Sequence, residues 1–368
     1  MCGESQVLSC SQRRRFSLLL RLSCQKLGYF MPRPPCSCEM LMKCLLLDHP
    51  GPPESLRLGS AESPLPGPGD VRVTVQAVGL NPADYKFLMR SVGSWIYPHI
   101  PGLDVAGVIN ALGPGVSGWS IGDAVLYHGD FGRSGGFAEQ AVTSAISLVR
   151  KPEALSFVEA AALPCSGFTA YQVLHDKLNI RSDQTLLVQG GAGGVGGFAI
   201  QLAARMGLRV ITTAAERNAE WVRALGAEIN IDYTCESVAE RIAAITCGAG
   251  VDAIVDTVGS VTATEGLKML AFGGGIACVA GLPDLSQMKS FGNAISVHDV
   301  ALGGAYRAVD DRAVIRLAAT GEAFIRSVIS QKIQPMLTEV IRLEKIPEAL
   351  VRLSRRTVRG KIVAELGS

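Results

Sequence analysis

Residues 190–197 read Gly-Gly-Ala-Gly-Gly-Val-Gly-Gly, so only Val195 interrupts a run of glycine and alanine. Such a run can be a linker, a packing device or a phosphate cradle, and its flanks decide between them. Ahead of it "TLLVQG" reads as a strand, and "VGGFAIQLAARM" after it reads as a helix closed by Gly207. Gly191, Ala192, Gly193, Gly194, Val195 and Gly196 then fit G-x-G-x-x-G between a strand and a helix. In that setting glycines permit a tight turn, let the backbone approach a pyrophosphate and let helix and strand pack closely, while the helix N-terminus faces the negative charge. This stretch is therefore expected to bind a dinucleotide.

The alternation continues downstream. "LRVITTA" is a strand, "NAEWVRAL" a helix closed by Gly226, "CESVAERIAAIT" a helix, "VDAIVDTVG" a strand, "ATEGLKMLA" a helix and "GIACVAG" a strand. Strand and helix at this spacing build a parallel sheet wrapped by helices. Upstream, from Lys43, short apolar runs are cut by Gly and Pro turns, and Val71, Val73, Val75 and Ala77 would share one face at period two, so this part is mostly β. The tail from about residue 310 returns to helix and ends in "RGKIVAEL", a strand that must pair elsewhere.

A chain of 368 residues that is 48% hydrophobic and 18% charged is globular. A net charge of +2 offers no basic stripe, so nucleic acid is not an expected partner. No apolar run approaches the roughly 18 residues of a membrane span, so no membrane partner is expected either. Six of the ten cysteines precede residue 45, and none lies between 45 and 164. Cys165, Cys235, Cys247 and Cys278 sit in apolar or helical patterns and read as reduced, buried thiols, which implies a reducing compartment, the cytoplasm. Residues 1–41 differ from the rest, with Arg13, Arg14, Arg15 and Arg21 against Glu4 and Glu39. They read either as an extension ahead of a natural start at Met40 or Met42, or as an organelle presequence that would direct the chain to mitochondria.

At the end of the second strand, where a carboxylate would bind the ribose of NAD, stand Ala214 and Ala215, followed by Glu216 and Arg217. The missing carboxylate removes repulsion against a 2′-phosphate, and Arg217 would pair with one. NADPH is thus favoured over NADH, with Glu216 pointing the other way. Val258 and Gly259, and Ala280 with Gly281, end strands at the side where open α/β sheets bind ligands.

The segments "GLNPADYK" at 79–86, "PGLDVAGVI" at 101–109, "GGFAEQAV" at 135–142, "ALPCSGFTAY" at 162–171, the glycine motif, "LGAEINIDY" at 225–233 and "RGKIVAEL" at 359–366 come in a jointly specific order. Over residues from about 42 to 366 the chain resembles the medium-chain dehydrogenase/reductase superfamily, in its zinc-independent quinone oxidoreductase-like branch. The resemblance implies an α/β fold: a β-rich GroES-like catalytic domain at 42–165, an inserted doubly wound Rossmann domain at 166–308 and a return to the catalytic domain at 309–368. The active site would lie in the cleft between them.

Zinc-dependent relatives carry Cys where this chain has Asn81 and His-Glu where it has Leu103 and Asp104, leaving Cys165 as a single ligand. A zinc site needs three protein groups and an open position, so no metal is expected. Without a Lewis acid, a quinone or an α,β-unsaturated carbonyl is the expected hydride acceptor, because it delocalises the incoming charge. Asn81 would donate to the substrate carbonyl or orient the nicotinamide, with Tyr85 and Lys86 as polarising donors, Asp84 fixing the loop, and Tyr97 or Trp95 walling the pocket. The resemblance further implies Thr169 behind the nicotinamide, Tyr233 beside the adenosine ribose and 2′-phosphate, and Lys361 reaching the cofactor phosphate. Against NADPH, a lysine used by some relatives appears here as Asn218. Two other readings are an NADPH-binding protein without turnover, and an enoyl thioester reductase, although Val92 stands where such relatives keep a proton-donating tyrosine. The resemblance also implies a homodimer paired through sheet edges, with "GIACVAG" near the edge.

Overall fold

The face shared by Val71, Val73, Val75 and Ala77 is completely buried, and the strand that carries it, β3 (Asp70–Gly79), is the spine of the first sheet. The computed structural model describes residues 41–367 except Ser91 and Ser290, so the expectation for the N-terminal extension lies outside the described residues, apart from Leu41. A hairpin of β1 (Leu41–Leu46) and β2 (Arg57–Glu62) precedes β3. Then come β4 (Asp104–Leu112), β5 (Ala124–His128), β6 (Gln140–Ser144) and β7 (Val149–Arg150). The short helix α1 (Pro82–Leu88) leaves the end of β3, and α2 (Phe157–Ala161) follows β7.

The second sheet holds β8 (Thr185–Gln189), β9 (Arg209–Thr213), β10 (Ile229–Ile231), β11 (Val251–Asp256), β12 (Leu270–Cys278) and β13 (Ser296–Asp299). Its order is β10-β9-β8-β11-β12-β13, and all its pairs are parallel. The chain thus runs outward from β8 in both directions, and the switch point between β8 and β11 opens a crevice at the strand carboxyl ends. Between these strands lie α3 (Gly194–Arg205), α4 (Ala219–Leu225), α5 (Val238–Ile245) and α6 (Ser260–Gly266). Gly226 ends α4 in the left-handed conformation, as its sequence predicts.

After the second sheet come the long α7 (Arg312–Gln331), β14 (Leu337–Arg342), α8 (Ile346–Ser354) and β15 (Lys361–Glu365). The partner that "RGKIVAEL" requires is double: β15 pairs parallel with β14 and antiparallel with β3. The first sheet therefore runs β14-β15-β3-β4-β5-β7, with β6 also on β3.

Three expectations change. The apolar "KMLA", read as the end of a helix, leads into β12, because α6 stops at Gly266 and a short apolar run suits either state. "GIACVAG" lies in β12, one strand in from the edge, which belongs to β13. Of the four scattered cysteines only Cys278 is fully buried; Cys165 is half-buried, and Cys235 and Cys247 are exposed, all as free thiols. Among the described residues no helix is long and apolar enough to cross a membrane.

The returning tail is welded to the second sheet by aromatic packing. Phe324 of α7, fully buried, meets Phe198 of α3 edge-on at 5.3 Å and Phe168 at 6.2 Å. Gly167 makes room for it, since a Cβ there would stand 2.1 Å from Phe324 Cε1. Phe324→Ala is expected to cost about 3–5 kcal/mol, because the void has rigid walls on three sides. Urea unfolding of the two proteins measures it.

Candidate active site

The turn after β8 makes the cleft's floor possible. A Cβ on Gly191 would lie 2.0 Å from Thr212 Oγ1, and one on Gly196 would lie 2.4 Å from the Gly190 carbonyl oxygen. These two positions let α3 press onto the sheet. Gly193 precedes α3 and supplies no side-chain cap, so the first N–H groups of a 12-residue helix have no partner within the helix. A Cβ on Gly193 would meet only Gly190 O, at 3.5 Å, so that side of the turn stays open. This is an anion cradle, and it fits the pyrophosphate of a dinucleotide.

The cradle opens into a cleft of about 810 Å³ between the two sheets. Of the residues predicted from sequence, it is lined by Asn81, Tyr85 and Lys86 on the α1 side, by Ala192, Gly193 and Gly194 on the turn, and by Lys361 between them. Arg217, Tyr233, Val258 and Ala280 line it at the strand ends. Gly191, Val195, Gly196, Gly259 and Gly281 shape the surrounding backbone without lining it. Two residues are not brought there. Thr169 is buried and its hydroxyl donates to Cys165 O at 2.6 Å, while Ser166, three residues earlier, lines the cleft in its place. Tyr97 packs against the core of the first sheet, edge-on to Trp95. His99 is likewise core: it stacks on Trp95 at 3.9 Å, and burial lowers its imidazole to about 4. Sequence reading also missed Thr257, Lys268 and Arg356 in the lining, which only the fold gathers. Partial burial, then Arg356 and Arg90, hold the Lys86 amine below the usual lysine range.

Beneath Asn81 lies a buried polar cluster. Asp104, 0% exposed, is hydrogen-bonded by groups on three segments and faces an ammonium on a fourth. Asn81 Nδ2 donates to its Oδ2 at 2.9 Å, and the Cys165 backbone N–H lies 3.0 and 3.1 Å from its two oxygens. His128 Nδ1 lies 2.9 Å from Oδ1, because Asp104 and His128 are direct cross-strand partners on β4 and β5. The Lys361 ammonium stands 3.6 Å from Oδ2, and donates to Asn81 Oδ1 at 2.5 Å and to Leu80 O at 3.0 Å. The Lys361 ammonium, expected to reach the cofactor phosphate, here lies on these oxygens, while its stem packs over Gly194. Asp84 holds the loop as expected, its Oδ2 accepting the Asn81 N–H at 2.7 Å.

Asp104, His128 and Cys165 offer three ligand atoms within 4.8 Å of one another, where sequence reading counted Cys165 alone. His128 escaped it because only strand register places it beside Asp104. As arranged, the trio does not fit a metal. His128 spends Nδ1 on Asp104, and an ammonium already neutralises that carboxylate.

Comparison with known proteins identifies the class. Residues 67–153 match the family described as "Alcohol dehydrogenase GroES-like domain", and residues 194–318 the one described as "Zinc-binding dehydrogenase". A quinone oxidoreductase-like protein 2 homolog of Nematostella vectensis is 31% identical over 308 residues, spanning 81% of this chain and 82% of that protein. A mycobacterial protein solved in complex with NADPH superposes with TM-score 0.79 at 26% identity, covering 88% of this chain and 100% of that one. An NAD-dependent alcohol dehydrogenase does so with TM-score 0.78 at 30% identity, covering 89% and 100%. The chain belongs to the medium-chain dehydrogenase/reductase superfamily, in its quinone oxidoreductase-like branch, and is an oxidoreductase with a nicotinamide cofactor.

Asp84 yields a pH prediction. It is 2% exposed, its Oδ1 has no hydrogen-bond partner among the described residues, and burial, then the nearby Asp104, push its carboxyl up to about 7. The folded state therefore holds a proton that the unfolded state releases near pH 4, and the group's contribution is lost as pH rises from there through 7. Asp84→Asn keeps an oxygen for the Asn81 N–H and carries no charge. Its melting temperature should gain on the wild type as pH is raised from 5 to 9, and parallel curves would refute the assignment.

Proposed function

We propose that the protein transfers hydride from NADPH to a quinone or an α,β-unsaturated carbonyl without zinc. The observation that carries this reading is the composition of the cleft's two ends. At the far end β9 finishes in Ala214 and Ala215, and Arg217 and Tyr233 line the cleft, while Lys268 and Arg356 add positive charge elsewhere in its lining, Arg356 beside Lys86. That end suits a 2′-phosphate, with Tyr233 beside it. At the near end Asn81 Nδ2 has one N–H on Asp104 and the other in a long contact of 3.4 Å with Gly79 O, one that a substrate carbonyl would displace.

The glycine turn would hold the pyrophosphate, and NADPH, when bound, supplies the hydride. Asn81 then donates to the oxygen on which charge develops, and an acceptor that spreads that charge needs no more than such a donor. The thioester reading lacks support, because Val92 sits in an apolar cluster with Leu103 and Phe131. A second copy of the chain is the expected partner, paired through the edge strand β13.

Purified protein should consume NADPH with members of a quinone and enone panel, at a rate that a metal chelator does not change. Asn81→Ala should lower kcat about 10- to 1000-fold with NADPH affinity kept. Arg217→Ala should weaken NADPH about tenfold while leaving NADH unchanged, the loss of one charge-assisted contact. Tight NADPH binding with no acceptor reduced would sink the reading in favour of a binding protein, and sedimentation at the monomer mass would reject the dimer.

A further inference from the structure

Lys361 is 3% exposed, yet no carboxylate touches its ammonium at hydrogen-bond distance. Its near neighbours are oxygens of three kinds: the Leu80 carbonyl at 3.0 Å, the Asn81 amide at 2.5 Å and the Asp104 carboxylate at 3.6 Å. That is the environment of a bound cation, and the residue faces the cleft. Beside it lie three would-be metal ligands whose shared carboxylate it neutralises.

We propose that Lys361 is the resident cation of this site, built into the chain where metal-dependent chemistry would use an ion. It does two things. It keeps a divalent metal out of the Asp104, His128 and Cys165 trio by supplying the positive charge that Asp104 requires. It also fixes the Asn81 amide: with the ammonium on Oδ1 and the carboxylate on Nδ2, only one orientation of that amide satisfies both neighbours. The N–H in long contact with Gly79 O, the one a substrate carbonyl would take, is then held in place and polarised by a full charge two bonds behind it. Lys361 acts through Asn81 and is a positioning residue. This second part rests on the reductase reading above, whereas the first does not.

The metal arm of the test stands alone. Wild-type protein dialysed against Zn²⁺ and then against buffer should retain none. Lys361→Ala, with the ammonium gone, should retain one equivalent with a raised melting temperature, and lose it again when Cys165→Ala is added. If the alanine variant does not fold, Lys361→Leu keeps apolar bulk over Gly194 and gives the same readout. Zinc held by the wild type through Cys165, or no Cys165-dependent gain in either variant, overturns the proposal.

The kinetic arm uses whichever acceptor the wild type reduces. Lys361→Met should lower kcat about 10- to 100-fold, the scale of one misaligned oxyanion donor, with KM for NADPH within about twofold. A loss confined to NADPH affinity would return Lys361 to the cofactor phosphate and overturn the positioning role. If the wild type reduces nothing, the reductase reading fails while the zinc measurement still decides whether Lys361 is the resident cation.

Discussion

A carboxylate with no access to water is unstable unless it is paired and fully hydrogen-bonded, and Asp104 is such a group. Its partners come from the start of α1, from β5, from the turn after α2 and from β15. Satisfying this one charge therefore ties four separate segments of the chain to a point directly beneath the cleft. Taking the carboxylate away would strand the Lys361 ammonium, and taking the ammonium away would strand the carboxylate. The floor of the site is rigid because neither charge can be left alone.

The same lysine couples that floor to the cofactor turn. Gly360 donates its backbone N–H to Ala192 O at 2.9 Å, and the next residue sends its side chain to Asn81. Gly360 holds a positive φ of 64°, and a Cβ there would lie 2.4 Å from Met336 O, so the segment must be glycine to pass so close. Two consecutive residues of the returning tail thus set the distance between the glycine turn and Asn81. That explains why the tail comes back across the whole molecule to add a strand beside β3.

The parts legible in the sequence were those set by short-range physics. A strand, a glycine turn and a helix in succession specify a dinucleotide cradle with no knowledge of the rest. The alternation at Val71, Val73, Val75 and Ala77 specifies a buried face, and Gly226 specifies a helix end. The place of Asn81 in the cleft wall was legible through the segment around it, and so was Asp84 as the group that holds its loop. Tyr97 and Thr169 were misplaced because a residue's neighbourhood in the chain does not say which way its side chain points. One packs against the core, and the other spends its hydroxyl on the preceding turn.

What the sequence by itself determined is the layout of the fold, the cofactor cradle and the absence of a carboxylate at the end of β9, since each depends on residues within one turn or one strand of each other. What only the tertiary structure decided is the chemistry beneath the cleft. His128 meets Asp104 through strand register, and Lys361 meets Asn81 across nearly the whole chain, 280 residues away. Contacts over such separations leave no local pattern, because they arise from how sheets pair and how a buried charge finds its counter-charge.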